Sequence, residues 1–305
     1  MGSLSTANVE FCLDVFKELN SNNIGDNIFF SPLSLLYALS MVLLGARGES
    51  AEQLEKVLHF HHTVDSLKPG FKDSSKCSQA GRIHSEFGVL FSQINQPDSN
   101  YTLSIANRLY GTKTMAFHQG KNVTVEMMHQ IGTFKLAFLK EPEMQVLELP
   151  YVNNKLSMII LLPVGTANVK QIEKQLNSRT FHEWTSSSNM MEREVEVHLP
   201  RFKLEIKYEL NSLLKSLGMT DLFNQVKADL SGMSPTKGLY LSKAIHKSYL
   251  DVSEEGTEAA AATGDSIAVK SLPMRAQFKA NHPFLFFIRH THTNVILFCG
   301  KLASP

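Results

Sequence analysis

The sequence predicts a single α+β domain. Apolar residues recur at helical spacing through most of the first third, strand-like runs fill the later half, and no repeat or low-complexity linker separates the two. At 305 residues and 43% hydrophobic content, the chain can bury a large core. Its 30 basic and 29 acidic residues leave a net charge of +1, which gives no electrostatic case for nucleic acid or an anionic membrane. The most apolar run, Leu33 to Leu44, is broken by Ser34, Tyr37 and Ser40 and falls short of a membrane span.

The elements follow in order. Val9, Cys12, Leu13, Val15, Phe16 and Leu19 share one helical face over residues 4–20, and Asn22 to Asp26 form the turn that ends it. Helices are expected at Pro32–Leu44 and at Ser50–Leu58, the latter opened by a capping box of Ser50 and Gln53. Residues 63–80, polar and rich in Ser and Lys, read as a loop before a helix at Ile83–Ile94. Thr102 to Tyr110 alternates like a strand. Strands are expected at Gln145–Pro150, Leu156–Pro163, Glu194–Val197, Arg201–Ile206, Pro283–Arg289 and Val295–Lys301, with helices at Val169–Leu176 and Leu210–Leu217.

The most informative segment lies near the C-terminus. Glu254, Glu255 and Gly256 lead into Thr257, Glu258, Ala259, Ala260, Ala261, Ala262 and Thr263. A core strand would use Val, Ile or Phe here, and the seven residues between Gly256 and Gly264 are too few for a stable isolated helix. Small side chains at every second position would instead let the segment slide into a sheet, with Gly256 as the pivot.

This segment resembles the reactive-loop hinge of inhibitory serpins, the suicide-type serine protease inhibitors. Asn27 to Ser34 with Leu43 to Gly48 is similar to that family's buried strand and second helix. Leu199 to Leu204, Leu217 to Phe223 and Ala228 to Met233 follow in family order, and Phe278 to Ile288 resembles its C-terminal signature. The resemblance covers most of the chain and points to the ovalbumin-like clade B branch. It implies a reactive-centre loop over about 254–276, a hinge at Glu254 to Thr263, and shutter residues Ser31, Ser34 and His246. Counted by family convention, the bait bond is Lys270–Ser271, with Arg275 a second, less favoured cleavage point. A long cation at Lys270 suits a trypsin-like protease, whose specificity pocket carries a buried carboxylate.

The resemblance also implies a gap. Ile105 to Gly111 is similar to the second strand of the family's main sheet, whereas Val125 to Met128 resembles a strand that comes much later. A helix and the central third strand are therefore missing across a junction at Gln119 and Gly120, as in a splice product. In the family the cleaved hinge inserts between strands three and five; here Ile245 to Val252 would be strand five, with its neighbour gone, and His246 would lose a partner on that strand. The expected function is that of a trypsin-directed inhibitor impaired in this shortened form. The alternative is a non-inhibitory protein that offers its loop to a binding partner.

Other chemistry is excluded by pattern. The run His59, Phe60, His61 and His62 reads as a solvated turn, and His290 with His292 as a polar hairpin turn, so no metal or other cofactor is expected. No catalytic motif is present, and an enzyme is not expected. Cys12, Cys77 and Cys299 are odd in number and widely spaced, and no secretory leader is read at the N-terminus. These features point to a cytoplasmic monomer, with release from the cell occurring without a signal peptide.

Overall fold

The computed structural model describes residues 2–22, 24–60, 76–94, 126–151, 154–234, 238–253 and 275–304. These form helices α1 (Gly2–Asn22), α2 (Pro32–Gly45), α3 (Gly48–Val57), α4 (Lys76–Ile94), α5 (Val169–Gln175), α6 (Ser178–Trp184) and α7 (Asn211–Leu217). The strands are β1 (Ile28–Phe30), β2 (Met127–Lys140), β3 (Glu143–Pro150), β4 (Leu156–Pro163), β5 (Met191–Pro200), β6 (Phe202–Glu209), β7 (Ile245–Val252), β8 (Ala276–Lys279), β9 (Phe284–His290) and β10 (Ile296–Leu302). The α+β class expected from the sequence is what forms.

Eight strands make one sheet in the order β1-β10-β9-β4-β3-β2-β5-β8, while β6 and β7 pair as a separate two-stranded sheet. All pairings are antiparallel except β5 with β8. The central strands are covered on both faces. Ile159, Leu161, Leu285 and Phe287 pack with the helices, whereas Met158, Ile160, Leu162, Phe284, Phe286 and Ile288 pack with Phe202 and Leu204 of β6. Burial on both faces explains why β4 and β9 read as continuous apolar runs with no alternation.

Helix α1 is held to this frame by Asn8, which mimics a strand partner. Its Oδ1 accepts from the Ile296 N–H at 2.7 Å and its Nδ2 donates to the Ile296 carbonyl at 3.2 Å, in a fully buried setting. Asn27 fastens the chain end similarly, accepting from the backbone N–H groups of Ala303 and Ser304 and donating to the Ser304 carbonyl. Gly218 caps α7 at a φ of 120°, a conformation that only glycine adopts without strain.

Gly300 marks the tightest approach in the sheet. A Cβ there would lie 2.4 Å from Cζ of Phe286 and 2.8 Å from the Ile28 carbonyl oxygen. The ring could shift, but the backbone oxygen is fixed by β1. Gly300→Ala should therefore destabilise the fold by about 1–3 kcal/mol, read as a lower urea midpoint. An unchanged midpoint would mean that β1 and β9 yield more easily than the packing implies.

Several expectations are corrected. The box of Ser50 and Gln53 does not form: α3 begins at Gly48, after Arg47, which makes no side-chain cap. Ser50 Oγ instead accepts from the Asp229 N–H at 3.0 Å, and Gln53 Oε1 from the Asp221 N–H at 2.9 Å. Tertiary partners took both side chains from their local roles. Helix α4 starts at Lys76, inside the expected loop, because its polar first turn offers no apolar period to read. Strand β2 runs to Lys140, and α6 was not expected at all. The expected strand at Thr102–Tyr110 and the junction at Gln119 and Gly120 lie outside the described residues.

Candidate functional site

The site is built around β7, the strand that leads into the proposed loop. Its inward positions are His246, Ser248, Leu250 and Val252, while Lys247, Tyr249 and Asp251 face solvent. Strand β7 pairs with β6 in register from Phe202 opposite Val252 to Glu209 opposite Ile245. Among the described residues, no strand pairs with its other edge. The chain is described again from Arg275, immediately before β8.

Three polar side chains tie this small sheet to β1. In an antiparallel pair alternate residues turn their backbone groups away from the partner, so Phe29 and Ser31 present theirs on the side opposite β10. Tyr208 Oη accepts from the Phe29 N–H at 3.2 Å, and Ser248 Oγ donates to the Phe29 carbonyl at 2.7 Å. His246 Nε2 accepts from the Ser31 N–H at 3.0 Å. The outer edge of β1 is thereby satisfied by side chains.

Ser31 is the pivot between strand and helix. Its Oγ accepts from the Ser34 N–H at 3.2 Å, capping α2, and donates to the Leu297 carbonyl at 2.8 Å. Pro32 follows at the first helical position, where a missing N–H costs nothing. The structure thus brings Ser31, Ser34 and His246 into one buried cluster.

The electrostatics of His246 follow from its burial. The side chain is only 6% exposed, and desolvation pushes its pKa down to about 4. Because Nε2 accepts a hydrogen bond, the neutral ring carries its proton on Nδ1. The ring is held in place by the Ser31 N–H. Burial likewise pushes the Tyr208 phenol up to about 12.

The hinge residues Glu254 to Thr263 and the bait pair Lys270 and Ser271 lie outside the described residues. Arg275 is described, and its Nε meets Glu194 Oε1 at 3.0 Å, an ion pair that anchors the chain beside β5. The stretch at His59 and Phe60 is not the solvated turn expected: Phe60 is fully buried, and His59 packs against α1 with its Nε2 2.7 Å from Asp14 Oδ2 and its Nδ1 3.3 Å from Glu10 Oε2. His61 and His62 are outside the described residues. His290 lies at the end of β9 and bonds Thr293 within the tight turn to β10, as expected. Sequence reasoning missed Tyr208 and Ser248. The polar Ser248, two residues after His246 on one strand face, was the readable signal.

Comparison with known proteins gives this arrangement of β1, β7 and the large sheet a family. The serpin family, described as serine protease inhibitors, matches residues 6–120 and 111–305. Serpin B11 from Homo sapiens is 74% identical over 392 residues, and serpin B11 from Mus musculus 51% identical over 392 residues. Each alignment covers 100% of this chain and 100% of the relative. The solved structure of uncleaved ovalbumin matches with a TM-score of 0.78 and 29% identity, covering 100% of both chains.

The chain belongs to the serpin family, in its ovalbumin-like clade B branch. That family consists of protease inhibitors and not of enzymes. None of the described helices is long and apolar enough to cross a membrane.

Proposed function

We propose that this chain presents Lys270–Ser271 as bait to serine proteases of trypsin-like specificity, and that the shortened form is cut without completing the trap. The observation that carries this reading is the edge of β7, which has no described strand beside it. An inserting hinge needs two neighbours; with one, it would leave a row of backbone N–H and C=O groups unpaired. Two features of the comparisons support a missing segment. The family match divides into two pieces that meet around residues 111–120, and the alignment with human serpin B11 extends over 392 positions against 305 residues here. Both agree with a junction at Gln119 and Gly120. The buried free thiols Cys12 and Cys299 support a reducing, cytoplasmic setting.

Incubation with trypsin tests the proposal. The chain should be cleaved at Lys270–Ser271, give little SDS-stable complex, and melt at nearly the same temperature before and after the cut. Lys270→Ala should abolish that cut. A stoichiometric covalent complex, or a large rise in Tm after cleavage, would overturn the impairment. Cleavage at another bond would overturn the assignment of the bait. A partner captured by the intact chain and lost on Lys270→Ala, with no protease complex, would favour a binding role for the loop.

A further inference from the structure

A second constellation lies on the outer face of the large sheet, away from β7. The β2–β5 register sets His129 directly opposite His198 and Ile131 opposite Glu196. Glu196 and His198 are two residues apart on β5, so they project from the same face. Strand β8 then sets Gln277 beside Glu196. The rings of His129 and His198 lie 4.7 Å apart at 38° to one another.

Their nitrogens converge on one oxygen. His129 Nε2 is 3.2 Å and His198 Nε2 is 3.1 Å from Glu196 Oε1. The three ligand-type atoms all fall within 4.8 Å of one another, the one such group found among the described residues. Ligands held about 2.0–2.1 Å from a tetrahedral zinc ion stand about 3.3 Å apart. The two edges to Glu196 Oε1 fall close to that length, and the third, between the two imidazoles, lies within 4.8 Å and would close by side-chain rotation on binding an ion. Gln277 Nε2 approaches Glu196 Oε2 at 3.5 Å, and the Gln277 carbonyl accepts from Gln145 Nε2 at 3.0 Å. These contacts steady the carboxylate from behind.

We propose that His129, His198 and Glu196 form a binding site for a zinc ion that clasps β2 to β5. Two imidazoles and one carboxylate suit zinc among the available divalent ions, whereas calcium and magnesium prefer oxygen ligands alone. Three protein ligands leave a position for water, and the half-exposed rim of the site gives the ion a path of entry. Without the ion the same side chains form an ordinary hydrogen-bonded cluster, with both imidazoles donating to the carboxylate.

Calorimetric titration of the full chain with zinc chloride, in a buffer that does not chelate, distinguishes these states. One zinc per chain should bind, and His129→Ala or His198→Ala should each weaken it by roughly tenfold or more. Glu196→Gln should also weaken it. The double variant His61→Ala with His62→Ala should leave this site unchanged, which separates it from the other histidine-rich stretch. Cobalt should give visible bands without the near-ultraviolet thiolate absorption that a cysteine site would add. All three residues lie on an outer sheet face, and near-ultraviolet dichroism of each variant checks that it folds; if one variant fails, the other two still report. Undetectable zinc binding at millimolar concentration would overturn the proposal. So would affinity that survives replacement of both His129 and His198.

Discussion

Between pH 6.5 and pH 4, His246 alone should remove about 3 kcal/mol from the stability of the folded state. The unfolded ring takes up a proton near pH 6.5, whereas the folded ring resists until about pH 4 because burial disfavours its charged form. Across that window the unfolded chain binds the extra proton, so mass action draws the equilibrium toward it as pH falls. Above pH 6.5 the contribution is fully present, and it is lost progressively down to about pH 4. Local chemistry agrees with the direction: a protonated Nε2 would point an N–H at the Ser31 N–H that it now accepts. Urea unfolding of the parent and of His246→Gln at several pH values between 7 and 4 measures the effect. Glutamine can accept from Ser31 but does not titrate, so its curve should be flatter by most of that amount. Parallel curves would show that His246 is not the group responsible. His246 joins β7 to the end of β1, so mild acid should loosen this region of the protein.

Much of the frame was legible because it depends on composition over short distances. The runs at Leu156–Pro163 and in β9 could be buried strands on length and residue type, and the two-faced core confirms why they lack alternation. The long reach of β2 was not legible. Its exposed positions include Met127 and Ile131 beside His129 and Lys135, which blurs the period of two, and its order is imposed by ten residue pairs with β5. Ser50 and Gln53 matched a local motif that tertiary partners overrode. The same contrast holds for the sites. Ser31, Ser34 and His246 were legible through the family resemblance, while Tyr208 and Ser248 were not, since their partner is a backbone group far away in sequence. Glu196 and His198 could be placed on one strand face from spacing alone. Only the register of β2 brings His129 to them.

Arg289→Met should cost about 3–5 kcal/mol, the typical penalty for stranding one member of a buried ion pair. Glu148 is only 6% exposed and receives Arg289 Nη2 at 2.9 Å, with Lys135 Nζ at 3.4 Å on its other oxygen. Burial pushes the Glu148 carboxyl up, but the charge and hydrogen bond of Arg289, with help from Ser157 and Lys135, outweigh it and hold the pKa below 4.5. In the parent this contributes stability above pH 4.5 that is lost as pH falls further. Without Arg289, desolvation should win over the half-exposed Lys135, and the folded carboxyl should titrate above its unfolded value. The sign then reverses: the variant should be relatively most stable in acid and lose that advantage as pH rises past the unfolded value. Pairing Arg289→Met with Glu148→Leu should recover much of the loss, because two apolar groups leave no charge stranded across β3, β4 and β9. Denaturant midpoints for the parent, the two single variants and the double variant give the coupling directly. A single-variant cost below about 1 kcal/mol would place the pair with ordinary surface bridges and remove it from the frame that holds the sheet.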